Sequence, residues 1–150
     1  RLGIWKHTGI FNRTDDNSAV NGASGIYAVI NQTLWQPISE KETNRGLRMF
    51  LEYARSNKGV APVYQHFGGG LLWTGIEAGR KDDEIGICKQ YGRIRTQPGL
   101  LWKYEQTFES FYKFFVAPWL NLQPDVQYIV HPGGSYANAL VGTLELNLQF

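Results

Sequence analysis

The sequence predicts an all-β fold, an antiparallel transmembrane β-barrel with about eight strands in this chain. Three observations predict it. Two-residue alternation of apolar and polar residues recurs along the chain, whereas helical periodicity is hard to find. Most alternating segments reach about 10 residues; soluble strands centre on about 5–6 and tilted membrane-spanning strands need about 9–11. The chain then closes on VGTLELNLQF, in which Leu140, Gly142, Leu144, Leu146, Leu148 and Phe150 form one apolar file. Val141, Thr143, Glu145, Asn147 and Gln149 form a mostly polar file on the other parity.

In order, the strands are expected over 2–11, 24–36, 45–55, 62–75, 84–93, 103–116, 119–130 and 136–150. Each gap holds turn-forming residues: NRTDDNSAVNG, PISEKETN, SNKGVAP, EAGRKDD, RTQPG, the short APW and HPGGS. Strands 2–11, 24–36 and 84–93 cannot be oriented, since Asn31 and Gln32, for example, are polar on both parities. Strand 45–55 sets Leu47, Met49, Leu51 and Tyr53 against Arg48, Phe50 and Glu52. In strand 62–75, Gly68, Gly69 and Gly70 mark a bend or a close strand contact. Strand 103–116 sets Phe108, Tyr112, Phe114 and Val116 against Glu109, Phe111 and Lys113. Strand 119–130 sets Leu120, Leu122, Val126, Tyr128 and Val130 against Asn121, Gln123, Asp125 and Gln127. Pro124 lacks an N–H, which predicts a bulge or irregular ladder position there.

Aromatic residues suggest two girdles. With the C-terminus on the periplasmic side, Trp35, Trp73, Trp119 and Phe150 fall at the periplasmic rim. Tyr27, Tyr53, Tyr64, Tyr91, Trp102, Tyr104 and Tyr128 fall near the outer rim. Alternation alone suits a soluble antiparallel sandwich equally well. The ending favours the membrane, because it resembles the terminal strand signal of outer-membrane barrels, read by the barrel-assembly machinery, with Phe150 as its last residue.

Composition narrows the rest. Charged residues make up 19% and aromatics 14%, with a formal net charge of +2. The basic residues are scattered, which argues against a nucleic-acid surface. No apolar run is long enough for a transmembrane helix. Cys88 is the sole cysteine, so no intrachain disulfide or cysteine-based metal site is expected. His7, His66 and His131 lie far apart and no catalytic spacing occurs, so neither an enzyme, a metal nor a cofactor is expected. Arg80, Asp82 and Asp83 read as a salt-bridged turn, with a cation site or pore rim as the less favoured alternative.

GIYAVINQTLW (25–35), RGLRMFLEYA (45–54), GGGLLWTGIEAGRKDDEIGI (68–87), PWLNLQPDVQYIVHPGG (118–134) and the terminal strand occur in sequence. In that order they resemble the C-terminal half of the carbohydrate-selective porins, the OprB-type outer-membrane family. The resemblance implies barrels of about 16 strands that pass monosaccharides and other small sugars across the outer membrane of Gram-negative-type bacteria. Residues 1–150 then form the C-terminal part of a single barrel domain, and the native protein is expected to be longer, because an open sheet leaves two edges that lipid does not tolerate. Expected partners are small carbohydrates, outer-membrane lipid, the assembly machinery and, in a homo-oligomer, further copies of the chain. One departure is Glu52, where the family pattern leads one to expect a basic residue. Two other readings stay open: a small closed outer-membrane barrel with an enzymatic or structural role, and a soluble β-sandwich binding domain.

A passive pore needs hydrogen-bonding groups, a few charges and aromatic faces along its wall. On the inward parity, the candidate pore-lining residues are Arg48, Phe50, Glu52, Glu109, Phe111, Lys113, Asp125, Gln127 and Glu145. Asn121, Gln123, Thr143 and Asn147 share that parity as plain wall.

Overall fold

A computed structural model of the chain describes residues 1–13, 16–38, 45–57, 59–76, 79–95 and 99–149. Phe150, on which part of the expectation rests, lies outside the described residues. Eight strands follow one another: β1 (Leu2–Asn12), β2 (Ala19–Trp35), β3 (Gly46–Ser56), β4 (Val63–Thr74), β5 (Glu84–Ile94), β6 (Tyr104–Ala117), β7 (Leu120–Val130) and β8 (Ala139–Leu148). They form one antiparallel sheet in sequence order, each strand paired with its chain neighbour. β1 and β8 are its two edges and do not pair with each other. That rules out a closed eight-stranded barrel within these residues. Among the described residues there is no second sheet, which removes the sandwich reading as well.

Directly opposed residues of an antiparallel pair share a face, so the register orients every strand. One row runs Thr33, Arg48, Leu72, Gly86, Phe111, Asp125, Thr143 across β2 to β8. The next runs Asn31, Phe50, Gly70, Cys88, Glu109, Gln127, Val141. On the other face a row runs Ile30, Leu51, Gly69, Lys89, Phe108, Tyr128, Leu140. One face is thus polar and the other apolar.

Burial is inverted relative to a soluble domain. Ala23 is the only buried hydrophobic residue among those described, while Thr74, Asn121 and Asp125, all on the polar face, are buried. The apolar face leaves Ile30, Leu71, Ile87, Phe108, Val126, Leu144 and Leu146 exposed. An aqueous environment would penalise such a surface at about 25 cal/mol per Å²; hydrocarbon would not. The arrangement is that of a sheet bathed by lipid on one side and water on the other.

The three strands that alternation left unoriented now have faces. Tyr27 and Val29 lie on the polar face of β2, opposite Gly3 and Glu52, so Tyr27 does not belong to a lipid-facing girdle. On β5 the polar face carries Glu84, Gly86, Cys88 and Gln90, while Lys89 and Arg93 sit on the apolar face. Strand β2 also begins at Ala19, five residues before the expected start at 24, because Asn21–Gly22 forms part of a bulge rather than a turn: Gly22 has φ +85° and the β1–β2 register shifts between His7 and Ile10. Pro124 pairs in regular register with Leu144, and the irregularity falls on its β6 side, where no pairing spans Tyr112 and Lys113.

Candidate pore-lining face

The nine candidate residues occupy a single face. Arg48, Phe50 and Glu52 lie on β3, Glu109, Phe111 and Lys113 on β6, Asp125 and Gln127 on β7, and Glu145 on β8, with consistent parity through every register. Cross-strand neighbours that the sequence did not single out join them. The Arg48 guanidinium donates to Thr74 Oγ1 at 3.0 Å and to Glu84 Oε1 at 3.3 Å, and Thr74 Oγ1 donates to the same Glu84 oxygen at 3.2 Å. Glu52 Oε1 lies 3.1 Å from His66 Nε2. Cys88 Sγ donates to Glu109 Oε2 at 3.6 Å, and Thr143 Oγ1 to Asp125 Oδ1 at 3.4 Å. Gln127 is opposed by Glu109 and Val141, and Glu145 by Gln123.

The charges are unevenly distributed. Arg48 has a carboxylate partner in Glu84, and Lys113 Nζ lies 5.5 Å from the Phe115 ring centroid. Glu109, Asp125 and Glu145 have no lysine or arginine within salt-bridge distance among the described residues. The β6–β8 part of the face is therefore net negative. In the β3–β5 part, Arg48 is paired with Glu84, and Glu52 lies beside His66.

Two phenyl rings on this face sit against glycines. A Cβ at Gly70 would fall 2.6 Å from Phe50 Cε1, and one at Gly86 would clash with the Phe111 ring. Each phenyl group therefore occupies the space above a glycine on the adjacent strand. Gly70 thus takes the close-contact reading expected for the glycine run.

At the rim carrying the β4–β5 and β6–β7 connections, Asp83 joins the β4–β5 connection to β6. It pairs with Arg80, accepts from Tyr112 Oη at 2.6 Å and accepts from the Phe115 backbone N–H at 3.0 Å. Burial pushes its carboxyl up, but the hydrogen bonds from Arg80, Tyr112 and Phe115 outweigh that and hold it below the usual carboxylate range. This is the salt-bridged turn expected from Arg80 and Asp83. At the opposite rim Trp102 stacks on His131, with centroids 4.1 Å apart and an interplanar angle of 4°.

A two-faced sheet of this geometry is matched by a known family. The family model described as Carbohydrate-selective porin, OprB family, matches residues 4–150. The chain belongs to this OprB porin family. The family is one of outer-membrane channels rather than enzymes. Among solved structures, the high-pH structure of OprB from Pseudomonas putida superposes with a TM-score of 0.89 at 24% identity, covering 99% of this chain and 44% of that one. The low-pH structure of the same protein gives a TM-score of 0.69 at 22% identity, covering 99% and 47%. No curated protein matches the sequence significantly. The chain thus has the fold of half an OprB barrel and spans less than half the length of those proteins.

Proposed function

We propose that this chain forms the C-terminal part of an outer-membrane channel through which small sugars diffuse passively. The observation that carries the reading is the inverted two-faced sheet, with paired polar groups buried on one face and large apolar side chains exposed on the other. Family membership makes sugars the favoured cargo. The unpaired edges of β1 and β8 would each need a further strand in lipid, so residues 1–150 act as part of a single larger barrel domain. Phe150 serves as the terminal signal for the assembly machinery, and the rim carrying Trp73 and Trp119 faces the periplasm.

The proposed wall works without catalysis. Asp125, Gln127, Glu109 and Glu145 exchange hydrogen bonds with sugar hydroxyls as water leaves, while Phe50 and Phe111 stack against the apolar faces of the ring. Passage requires each contact to be weak, and a wall of many modest donors and acceptors meets that requirement. Liposome swelling tests the proposal. Vesicles containing the full-length protein should swell in isotonic glucose much faster than protein-free vesicles. Equal rates would defeat the reading. Replacing Phe150 with a charged residue should lower the amount of assembled protein in the outer membrane; unchanged assembly would remove the role given to that residue.

A further inference from the structure

Carboxylates and cations of the strands are divided between the two faces. By register, Glu52, Glu84, Glu105, Glu109, Asp125 and Glu145 all stand on the polar face, whereas Lys6, Arg55, Lys89 and Arg93 stand on the apolar one. These four cations are exposed. Among the described residues, none of them lies within salt-bridge distance of a carboxylate. Their placement along the strands is uneven too. Arg55 and Arg93 share a row with Ile4, Ile26, Gln65 and Tyr104 near the rim opposite Asp83, and Lys6 stands one step closer to that rim. Towards the other rim, the row of Leu47, Trp73, Ile85 and Tyr112 carries no charge.

Lys6 and Arg55 line one open groove of about 530 Å³ that crosses β1, β2 and β3. At its rim end are Ser24 and Asn57, where Asn57 Oδ1 accepts from the Ser24 N–H at 3.3 Å and leaves its NH2 group as a donor. At its inner end are Ile4 and Ile26, 85% and 50% exposed and continuous with the apolar surface. Arg55 also borders a smaller groove of about 230 Å³ with Tyr64 and Gln65. Arg93 extends the row, 5.9 Å from the Tyr64 ring centroid. A charge facing lipid is costly unless an anion or water meets it at headgroup level.

We propose that this groove binds the phosphorylated headgroup of an anionic glycolipid in the outer leaflet. Charge complementarity selects the occupant: the groove has two cations, hydroxyl and amide donors and no carboxylate. The Arg55 guanidinium matches a phosphate bidentately, as an ammonium does not. β1 and β3 are two strand spacings apart, about 10 Å, so the long Lys6 and Arg55 side chains can close on one phosphate from both sides. Ile4 and Ile26 then lie against the start of an acyl chain. The groove opens on the lipid-exposed face, which makes a lipid the occupant rather than a solute of the pore. This inference rests on the channel reading, which turns this rim outward.

The test titrates full-length protein in a neutral detergent with lipid A as the probe, and native mass spectrometry measures the bound fraction. Joint replacement Lys6→Gln and Arg55→Gln should weaken lipid A binding about tenfold or more. Removing the phosphates from lipid A should weaken wild-type binding by as much, and equimolar inorganic phosphate should displace none of it. Equal affinity for lipid A with and without its phosphates, or in wild type and double variant, would overturn the site. Displacement by inorganic phosphate would overturn the lipid as its occupant. Glucose-driven liposome swelling keeps the two readings apart. The double variant should swell vesicles as the wild type does, since neither residue faces the pore. A wild type that swells vesicles without phosphate-dependent lipid binding removes the site alone, whereas one that swells none removes the channel reading first.

Discussion

Replacing Asp83 with alanine should destabilise the barrel through one rim. The carboxylate is 5% exposed and accepts from Tyr112 Oη and the Phe115 N–H, which lie on β6, while Asp83 itself precedes β5. A hydrogen bond to a charged group contributes about 1.5–3 kcal/mol. Two would sum to roughly 3–6 kcal/mol, but they share one acceptor and the Tyr112 hydroxyl can turn to water. The Arg80 pair is left out of the sum, because its guanidinium is largely solvated. The expected cost of Asp83→Ala is therefore about 2–3 kcal/mol, and Asp83→Asn, which keeps the shape, should cost about half of that. Urea unfolding in detergent micelles, followed by tryptophan fluorescence, measures it. The sign with pH is fixed by the depressed carboxyl. Its contribution is complete above the ordinary carboxylate range and is lost as pH falls through that range towards the folded-state value. Asp83→Asn should flatten this acid limb. A change under about 0.5 kcal/mol in Asp83→Ala, with an unaltered acid limb in Asp83→Asn, would refute the claim that Asp83 ties the turn to β6.

On the proposed lumen wall, Arg48→Ala should leave Glu84 without its cation and raise the cation over anion permeability ratio, read from reversal potentials in a salt gradient; an unchanged ratio would make Arg48 plain wall. Glu52→Gln should shift the same ratio the other way, because it removes a negative charge while keeping a hydrogen-bonding partner for His66. Cys88 lies on the same face beside Glu109, so a small hydrophilic thiol reagent added to the open channel should lower conductance, with Cys88→Ser insensitive to it. Gly86→Val should lift the Phe111 ring from the wall and reduce glucose flux more than small-ion conductance, measured by liposome swelling alongside bilayer recording.

Strand positions were legible because alternation is a local property: β3 is displaced by a single residue from the expected 45–55, and β7 begins one residue late. Orientation was legible only where that alternation is strict. In β5 the polar face includes Gly86 and Gly92, which carry no polarity at all, while the apolar face includes Lys89, whose ammonium sits 5.0 Å from the Phe108 ring centroid, and Arg93, which lies over Tyr64. Cation–π contact and a long aliphatic stem let these cations occupy that face, and hydropathy cannot register it. The candidate site divides in the same way. Parity put nine residues on one face, yet their partners stayed hidden because Arg48 and Glu84 are 36 residues apart and meet only through the thread of β4 between them. His66, read as an isolated histidine, has Glu52 as its neighbour for the same reason. The start of β8 at Ala139 rather than 136 follows from Asn138, whose side chain accepts from the His131 N–H and donates to Tyr128 Oη, closing the connection before the ladder begins.

Four glycines of the polar face share one neighbour type, an aromatic ring. Tyr27 covers Gly3, Trp5 covers Gly25, Phe50 covers Gly70 and Phe111 covers Gly86, each ring lying on a glycine of the adjacent strand. Any side chain at the covered position would stand the ring away from the sheet. An upright ring narrows the space in front of the wall and exposes an edge, whereas a flat one leaves the space open and exposes a π-face. Aromatic residues on the inward parity would otherwise obstruct a channel, and each such residue raises the question of why a pore wall would tolerate it. Pairing with glycine answers it: the aromatic supplies the packing that glycine lacks and caps the bare strand. The glycine in turn sets the ring's angle. The position of such glycines opposite aromatic residues is information that neither hydropathy nor strand propensity contains.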